Sequence, residues 1–228
     1  MAQINSLLCS RYKGIRIMSL EKLDFAEPFF DVLYIYNEQK YQIVPRSIIL
    51  NLSEEPIQIR HEMLGFLHST ILARITIENC ERCLIVENFD KYDDKEALFS
   101  EIKRKWIIMY EITKAERHSG VQLYRSQKIK LGDDVEINMA YADEVPLHVG
   151  LHRLHWGGPP FREVHTQIIG FGRMQQFWEK DLSTLYREDC LAPGATHEPM
   201  CDEKGEYPWH QYEPFTKGIF MATEMQIK

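Results

Sequence analysis

Histidine is the residue type best able to do chemistry in this chain, and it is unevenly placed. Six of the nine, His148, His152, His155, His165, His197 and His210, lie in the C-terminal part. Imidazole is the commonest metal ligand and the side chain that titrates nearest neutral pH. The informative stretch surrounds Glu163. In Glu163-Val164-His165-Thr166-Gln167-Ile168-Ile169-Gly170, the two-residue period of a strand puts Glu163, His165, Gln167 and Ile169 on one face, and Val164, Thr166 and Ile168 on the other. A buried face carrying a carboxylate, an imidazole and an amide needs a partner for each. Turned to water, the face is ordinary. Turned into a barrel interior, it is satisfied by a cation.

Two further spacings extend this pattern. Glu163 is followed by six residues and then Gly170, and Ala192-Pro193-Gly194-Ala195-Thr196-His197 places a histidine three residues after a turn glycine. Over roughly Leu123 to Lys228 these features resemble the cupin superfamily. The resemblance implies a jelly-roll barrel that holds one divalent transition metal, with Glu163 and His197 as carried-over ligands. The superfamily's pair of histidines just before the glutamate is replaced here by Gly158-Pro159 and its neighbours. His155 is the nearest substitute, and His165 shares a strand face with Glu163. The expected ligand set is therefore His155, Glu163, His165 and His197. Such a mixture of imidazole and carboxylate suits Fe(II) first, with Zn, Mn, Ni or Cu as alternatives. Gln167 would orient a ligand or a water from behind, and His210 is an outside candidate for the same supporting role. Glu163 and Arg173 are the expected catalytic residues, Arg173 as a bidentate clamp for a carboxylate or phosphate.

The remaining motifs are weak. Cys80-Glu81-Arg82-Cys83 is a lone CxxC, and without a second pair it reads as incidental to metal binding. Gly170-Phe171-Gly172-Arg173-Met174 does not open a helix and is no dinucleotide loop.

The elements that must position these residues are short strands. DVLYIYN, YQIVPRSIILNL, PIQIR, STILARITI and RCLIVENF in the first half are rich in Ile, Val, Leu and Tyr and are cut by Asn, Pro, Glu and Asp. WIIMYEI, VQLYRS, KIKL, VEINMAY, LHVGLHRLHW, VHTQIIGFGRMQQFW, STLYRE and KGIFMATEMQI continue the pattern in the second. Many short strands at regular intervals read as a mainly β protein of the jelly-roll kind. One helix interrupts them over 93–106, with Asp93 as cap, Glu96 three residues on, and Leu98, Phe99, Ile102 and Trp106 on one face. The expected organisation is an N-terminal segment 1–25, a β-rich region 26–120 and a barrel over 121–228. Residues 26–120 form either a degenerate second barrel or extra strands and a helix over the first. Their histidines, His61, His68 and His118, lack glutamate and glycine at matching spacings, so the chemistry is placed in the C-terminal half.

Composition narrows the function classes. The 228 residues are 44% hydrophobic and 27% charged with a net charge of −7, and the pI is about 5.7. That is a globular composition and a poor one for neutralising phosphates, so no nucleic-acid partner is expected. No apolar run is long enough to cross a bilayer, so no membrane partner is expected either. The N-terminus shows no secretory pattern, and five cysteines without framework spacing fit a cytoplasmic protein. The resemblance implies a metal-dependent enzyme acting on a small polar metabolite, leaning to non-haem oxidation. Its alternatives are a metal-dependent isomerase, epimerase or lyase of a sugar or keto acid, a non-catalytic binding barrel, and a subunit of a biosynthetic complex. Superfamily habit adds a homodimer by analogy.

Overall fold

A computed structural model describes residues 19–153, 161–200 and 206–227. The first half holds β1 (Ser19–Leu23), β2 (Asp31–Ile43), β3 (Ser47–Asn51), β4 (Ile57–Ile59), β5 (Glu62–Leu64), β6 (Ser69–Leu72) and β7 (Ile75–Glu87). All pair antiparallel in the order β1-β2-β7-β3-β6, with β4 and β5 attached near the start of β7. The two long strands kink where Asn37 and Asn79 adopt left-handed φ values of 56° and 61°, a conformation asparagine tolerates better than most residues. On one side of the kink β7 pairs with β3, and on the other with β4. The ladder thus folds over on itself and encloses Ile35, Ile43, Ile49, Ile57, Ile77, Cys80, Cys83 and Ile85.

Helix α1 (Lys95–Lys105) confirms the helical spacing, although its cap is Asp94, whose carboxylate accepts the Ala97 N–H at 3.0 Å, and not Asp93. The apolar run after Trp106 was expected to be a strand. It yields only β8 (Ile107–Ile108) before turning into the short helix α2 (Met109–Thr113) and a 3₁₀ turn over Glu116–His118. None of the α2 residues is buried, so no sheet face holds this stretch extended.

The second half contains β9 (Leu123–Arg125), β10 (Ile129–Leu131), β11 (Val135–Ala142), β12 (Phe161–Ile169), β13 (Gly172–Phe177), β14 (Leu185–Leu191), β15 (Trp209–Pro214) and β16 (Gly218–Gln226). One sheet runs β12-β16-β11-β9-β8 and the other β14-β13-β15. Bridges from Thr166 to Thr196 and from His152 to His210 extend the two sheets. The resulting order, Thr196-β12-β16-β11 facing β14-β13-β15-His152, is that of a jelly roll. Among the described residues the two sheets share no ladder, so it is a two-layered sandwich rather than a closed barrel.

Strand alternation explains why both faces of the larger sheet are buried. Ile137, Met139, Tyr141, Val164, Ile168, Ile219 and Met221 point to the N-terminal half and pack with Val32, Ile48, Leu50, Leu84 and Val86. Their sequence neighbours point inward between the two C-terminal sheets, so a polar residue there is buried by geometry, not by choice of the local sequence. Among the described residues no helix is long and apolar enough to cross a membrane.

Candidate functional site

The inward face of the larger sheet forms one wall of a cavity of about 160 Å³. Pairing sets Glu163 opposite Glu224, and two residues along, His165 opposite Ala222, which in turn faces Asn138 on β11. These five line the cavity together with Arg117, His118, Arg125, His152, His210 and Tyr212. The expected face of β12 is therefore real for Glu163, His165 and Gln167. Ile169 departs from it, because a register shift between Gln167 and Ile169 turns its side chain into the core between the two halves.

His165 and Glu163 form the chemical centre of this wall. His165 Nε2 lies 3.2 Å from Glu163 Oε1, with side chains only 11% and 8% exposed. A neutral ring bonded to a carboxylate carries its proton at the shared nitrogen, here Nε2, which leaves the Nδ1 lone pair. Nδ1 is sealed from solvent and has no hydrogen-bond partner among the described residues. Phe220 packs on the ring at 4.7 Å and Tyr212 meets it edge-on at 6.2 Å. Across the sheet, burial and the nearby Glu163 push the Glu224 carboxyl up, against the pull of Lys128, whose Nζ lies 2.5 Å from Glu224 Oε2.

His197 has a different job from the one its spacing implied. The Gly194 turn and the Thr196 bridge bring it alongside β12, where its Nε2 accepts the His165 backbone N–H at 2.8 Å. Its Nδ1 donates to the Glu198 carbonyl at 2.7 Å. Both nitrogens are committed to backbone, and no lone pair remains for a cation. Burial, reinforced by His165, pushes its pKa down to about 3, so the ring is neutral. Gly194 is required because its φ is +87° and a Cβ there would stand 2.4 Å from Ile71. Its carbonyl accepts Ser69 Oγ at 2.7 Å, tying this turn to the first half.

The other expected residues divide. Gln167 is fully buried, but its amide donates to the Ile169 carbonyl and accepts from Tyr212 Oη at 2.9 Å. It braces Tyr212 and does not touch His165. A Cβ at Gly172 would collide with that tyrosine, which explains the glycine. His210 does line the cavity, its ring 4.3 Å from that of His152 and its Nδ1 3.0 Å from the Pro208 carbonyl. Arg173 is a correction: it stands away from the cavity, bonded to Glu213 at 2.6 Å and Glu188 at 2.8 Å. Past the Gly170-Phe171 turn the chain enters the opposite sheet, so register with Glu163 is lost. His155 lies outside the described residues.

Sequence reasoning missed Arg117, Arg125, His118, His152, Asn138, Tyr212 and Glu224 as cavity residues. Glu224 and Asn138 carried a usable signal, each a polar residue alternating with apolar neighbours along a strand, beside Ala222 on β16 and Ala140 on β11. Arg117 sits on a turn and Arg125 ends a three-residue strand, where no periodicity exists to read.

The donor types around the cavity suit a transition metal, and His165 Nδ1 is an orphaned buried donor. Their arrangement does not: among the described residues no three His, Cys, Asp or Glu side chains are grouped to hold a metal ion, and His197 is spent. Of the expected four-residue shell, Glu163 and His165 are brought together, His197 is committed to backbone, and His155 lies outside the described residues.

No protein-family model and no curated protein matches the chain. Solved structures do. A cupin 2 conserved barrel domain protein from Leptotrichia buccalis is 8% identical, with 97% of this chain and 92% of that one covered and a TM-score of 0.29. AerE from Microcystis aeruginosa is 13% identical, covering 92% and 98% at a TM-score of 0.31. Oxalate decarboxylase OxdC from Bacillus subtilis, a protein with Mn(II) centres, is 10% identical over 92% of this chain and 72% of its own, at a TM-score of 0.35. On the strand order of its own two sheets, the C-terminal half has an antiparallel jelly-roll fold.

Proposed function

We propose that the C-terminal cavity is the active site of an enzyme acting on a small polar metabolite, with His165 and Glu163 moving a proton. The observation that supports this is a buried imidazole held at Nε2 by a buried carboxylate, with its Nδ1 unengaged. Glu163 fixes the tautomer and offsets the charge the ring gains on taking a proton, the part a carboxylate plays behind a general-base histidine. Cavities of this volume hold a molecule about the size of a benzene ring, so the substrate is small. Removing a proton and returning it to another atom of the molecule is isomerisation, returning it to the opposite face of the same carbon is epimerisation, and removing it with loss of a leaving group is a lyase reaction. The test is deuterium wash-in from D₂O, followed by NMR, across a panel of small 2-keto acids and hydroxyaldehydes. At least one should exchange beside its carbonyl, and His165→Asn should cut that rate by about a hundredfold or more. No exchange anywhere, or exchange unaffected by the variant, would leave a binding protein and not a catalyst.

A second reading, a metal-dependent catalyst of the oxygenase type, draws on the same atom. A carboxylate holding one ring nitrogen is also how metal-bound histidines are oriented. Metal analysis of untagged protein separates the two. A stoichiometric transition metal that His165→Asn releases would favour the metal reading. Less than about a tenth of an equivalent, with no gain on reconstitution, would favour the proton-transfer reading.

A further inference from the structure

Arginine is well satisfied elsewhere in this fold. Arg82 makes a two-pronged pair with Asp134 at 2.8 and 3.0 Å, Arg173 holds Glu188 and Glu213, and Arg46 holds Asp90. The two arginines on the cavity are exceptions. Arg117 Nη1 and Arg125 Nε are sealed from solvent with no hydrogen-bond partner, and neither side chain forms an ion pair among the described residues.

The three nearby carboxylates are committed elsewhere. Glu163 attracts Arg117 from a distance but is bonded to His165. Glu224 and Glu136 attract Arg125, but Glu224 is bonded to Lys128 and Glu136 to Lys128 and Lys130. His118, close enough to both arginines to feel their charge, is kept neutral chiefly by burial, its pKa near 4, and its Nδ1 lies 2.9 Å from Thr113 Oγ1. It offers the guanidiniums no counter-charge.

Each half-buried guanidinium thus has one N–H shut off from water without an acceptor, a cost that folds rarely leave unmet. Two facing the same small cavity form a site whose missing component is an anion. We infer that Arg117 and Arg125 bind the carboxylate of a small monoanionic substrate in the cavity. This rests on the cavity being the active site, and names the class of molecule that enters it. The planar fork of arginine matches a carboxylate or a phosphate edge. A second negative charge would meet Glu163 and Glu224 across a cavity of about 160 Å³, which selects a monocarboxylate over a phosphate dianion. With the carboxylate held on the β9 side, the rest of the molecule reaches His165 on β12.

The experiment measures binding, not turnover. Propionate, 2-oxobutyrate and inorganic phosphate are titrated into the full chain by calorimetry and thermal shift, using wild type, Arg117→Gln, Arg125→Gln, the two lysine variants and His165→Asn. The expected result is saturable binding of the carboxylates. Each glutamine variant weakens it by about tenfold or more, without lowering the melting temperature of the ligand-free protein, because an arginine with an unmet buried N–H has been removed. The lysine variants keep the charge, lose the fork and bind more weakly than wild type. His165→Asn binds propionate within about threefold of wild type. Carboxylate binding that is absent, or equal to wild type in both glutamine variants, overturns the inference. Phosphate bound in preference to carboxylates does the same. So does a loss of ligand-free stability in both the glutamine and lysine variants, which would make these arginines structural. If deuterium wash-in still depends on His165 while the arginine variants bind normally, the proton-transfer reading stands and only the carboxylate assignment falls.

Discussion

His197 Nε2 accepts the backbone N–H of His165 at 2.8 Å, so one histidine is spent on holding the strand that presents the other. The ring left for the proposed proton transfer is therefore His165, whose own Nε2 is held by Glu163. The two rings meet edge to face at 5.2 Å, close in space yet differently bonded.

His197→Ala is expected to act on stability first. It strips the partner from a buried N–H and from the Glu198 carbonyl and leaves a hole beside β12, a cost of about 2–4 kcal/mol. Urea denaturation measures it. A variant as stable as wild type would mean the two backbone bonds contribute nothing.

Acid should destabilise the fold through the same residue. The native ring has a pKa near 3 against an ordinary 6.5, so between those values the unfolded chain binds a proton that the native state refuses. Stability falls as pH drops through 6.5, by up to about 1.4 kcal/mol per pH unit from this group, and stops falling below about 3. His118, with a pKa near 4, adds to the same window. Unfolding curves collected across it should show a shallower slope in His197→Gln than in wild type.

Glu163→Gln preserves shape and removes the charge behind His165. Loss of about 10²–10⁴ in proton-transfer rate is expected, read from the same deuterium wash-in. The pH–rate profile should change as well, because the carboxylate no longer supports a protonated ring. An unchanged profile would remove Glu163 from the mechanism.

Gly194→Ala should disturb the docking of the two halves. The added Cβ meets the Ile71 side chain at 2.4 Å, in a left-handed backbone conformation. Strain plus overpacking is worth about 2–4 kcal/mol, visible as a lowered melting temperature.

The buried cysteines give a chemical check. Cys80 and Cys83 lie in the N-terminal core, while Cys190 is exposed. The hydrogen bond from Cys80, followed by burial, pushes the Cys83 thiol up, and a protonated thiol is a poor nucleophile. Mass mapping after alkylation of the native protein should find Cys190 labelled, with Cys80 and Cys83 labelled only on unfolding. Replacing both by serine should leave metal content untouched and cost about 1–3 kcal/mol per hydroxyl buried.

Residue periodicity alone determined that this is a mainly β chain interrupted by α1, and that Glu163, His165 and Gln167 share a face; it did not reveal α2 (Met109–Thr113), which it read as strand. Local rules suffice there, because alternation is a property of a single strand. What each polar group does on that face depended on partners far away in sequence. The partner of His197 is a backbone N–H of β12, that of Gln167 is Tyr212, and those of Arg173 are Glu188 and Glu213. None of these contacts leaves a trace in local spacing. Arg117 and Arg125 come from a turn and a strand end, and only the packing of that segment over the cavity shows that neither is paired with a carboxylate among the described residues. Residue type and period fix which way a side chain points. Its hydrogen-bond and charge balance is settled by tertiary neighbours, and that balance separates a structural histidine from a reactive one.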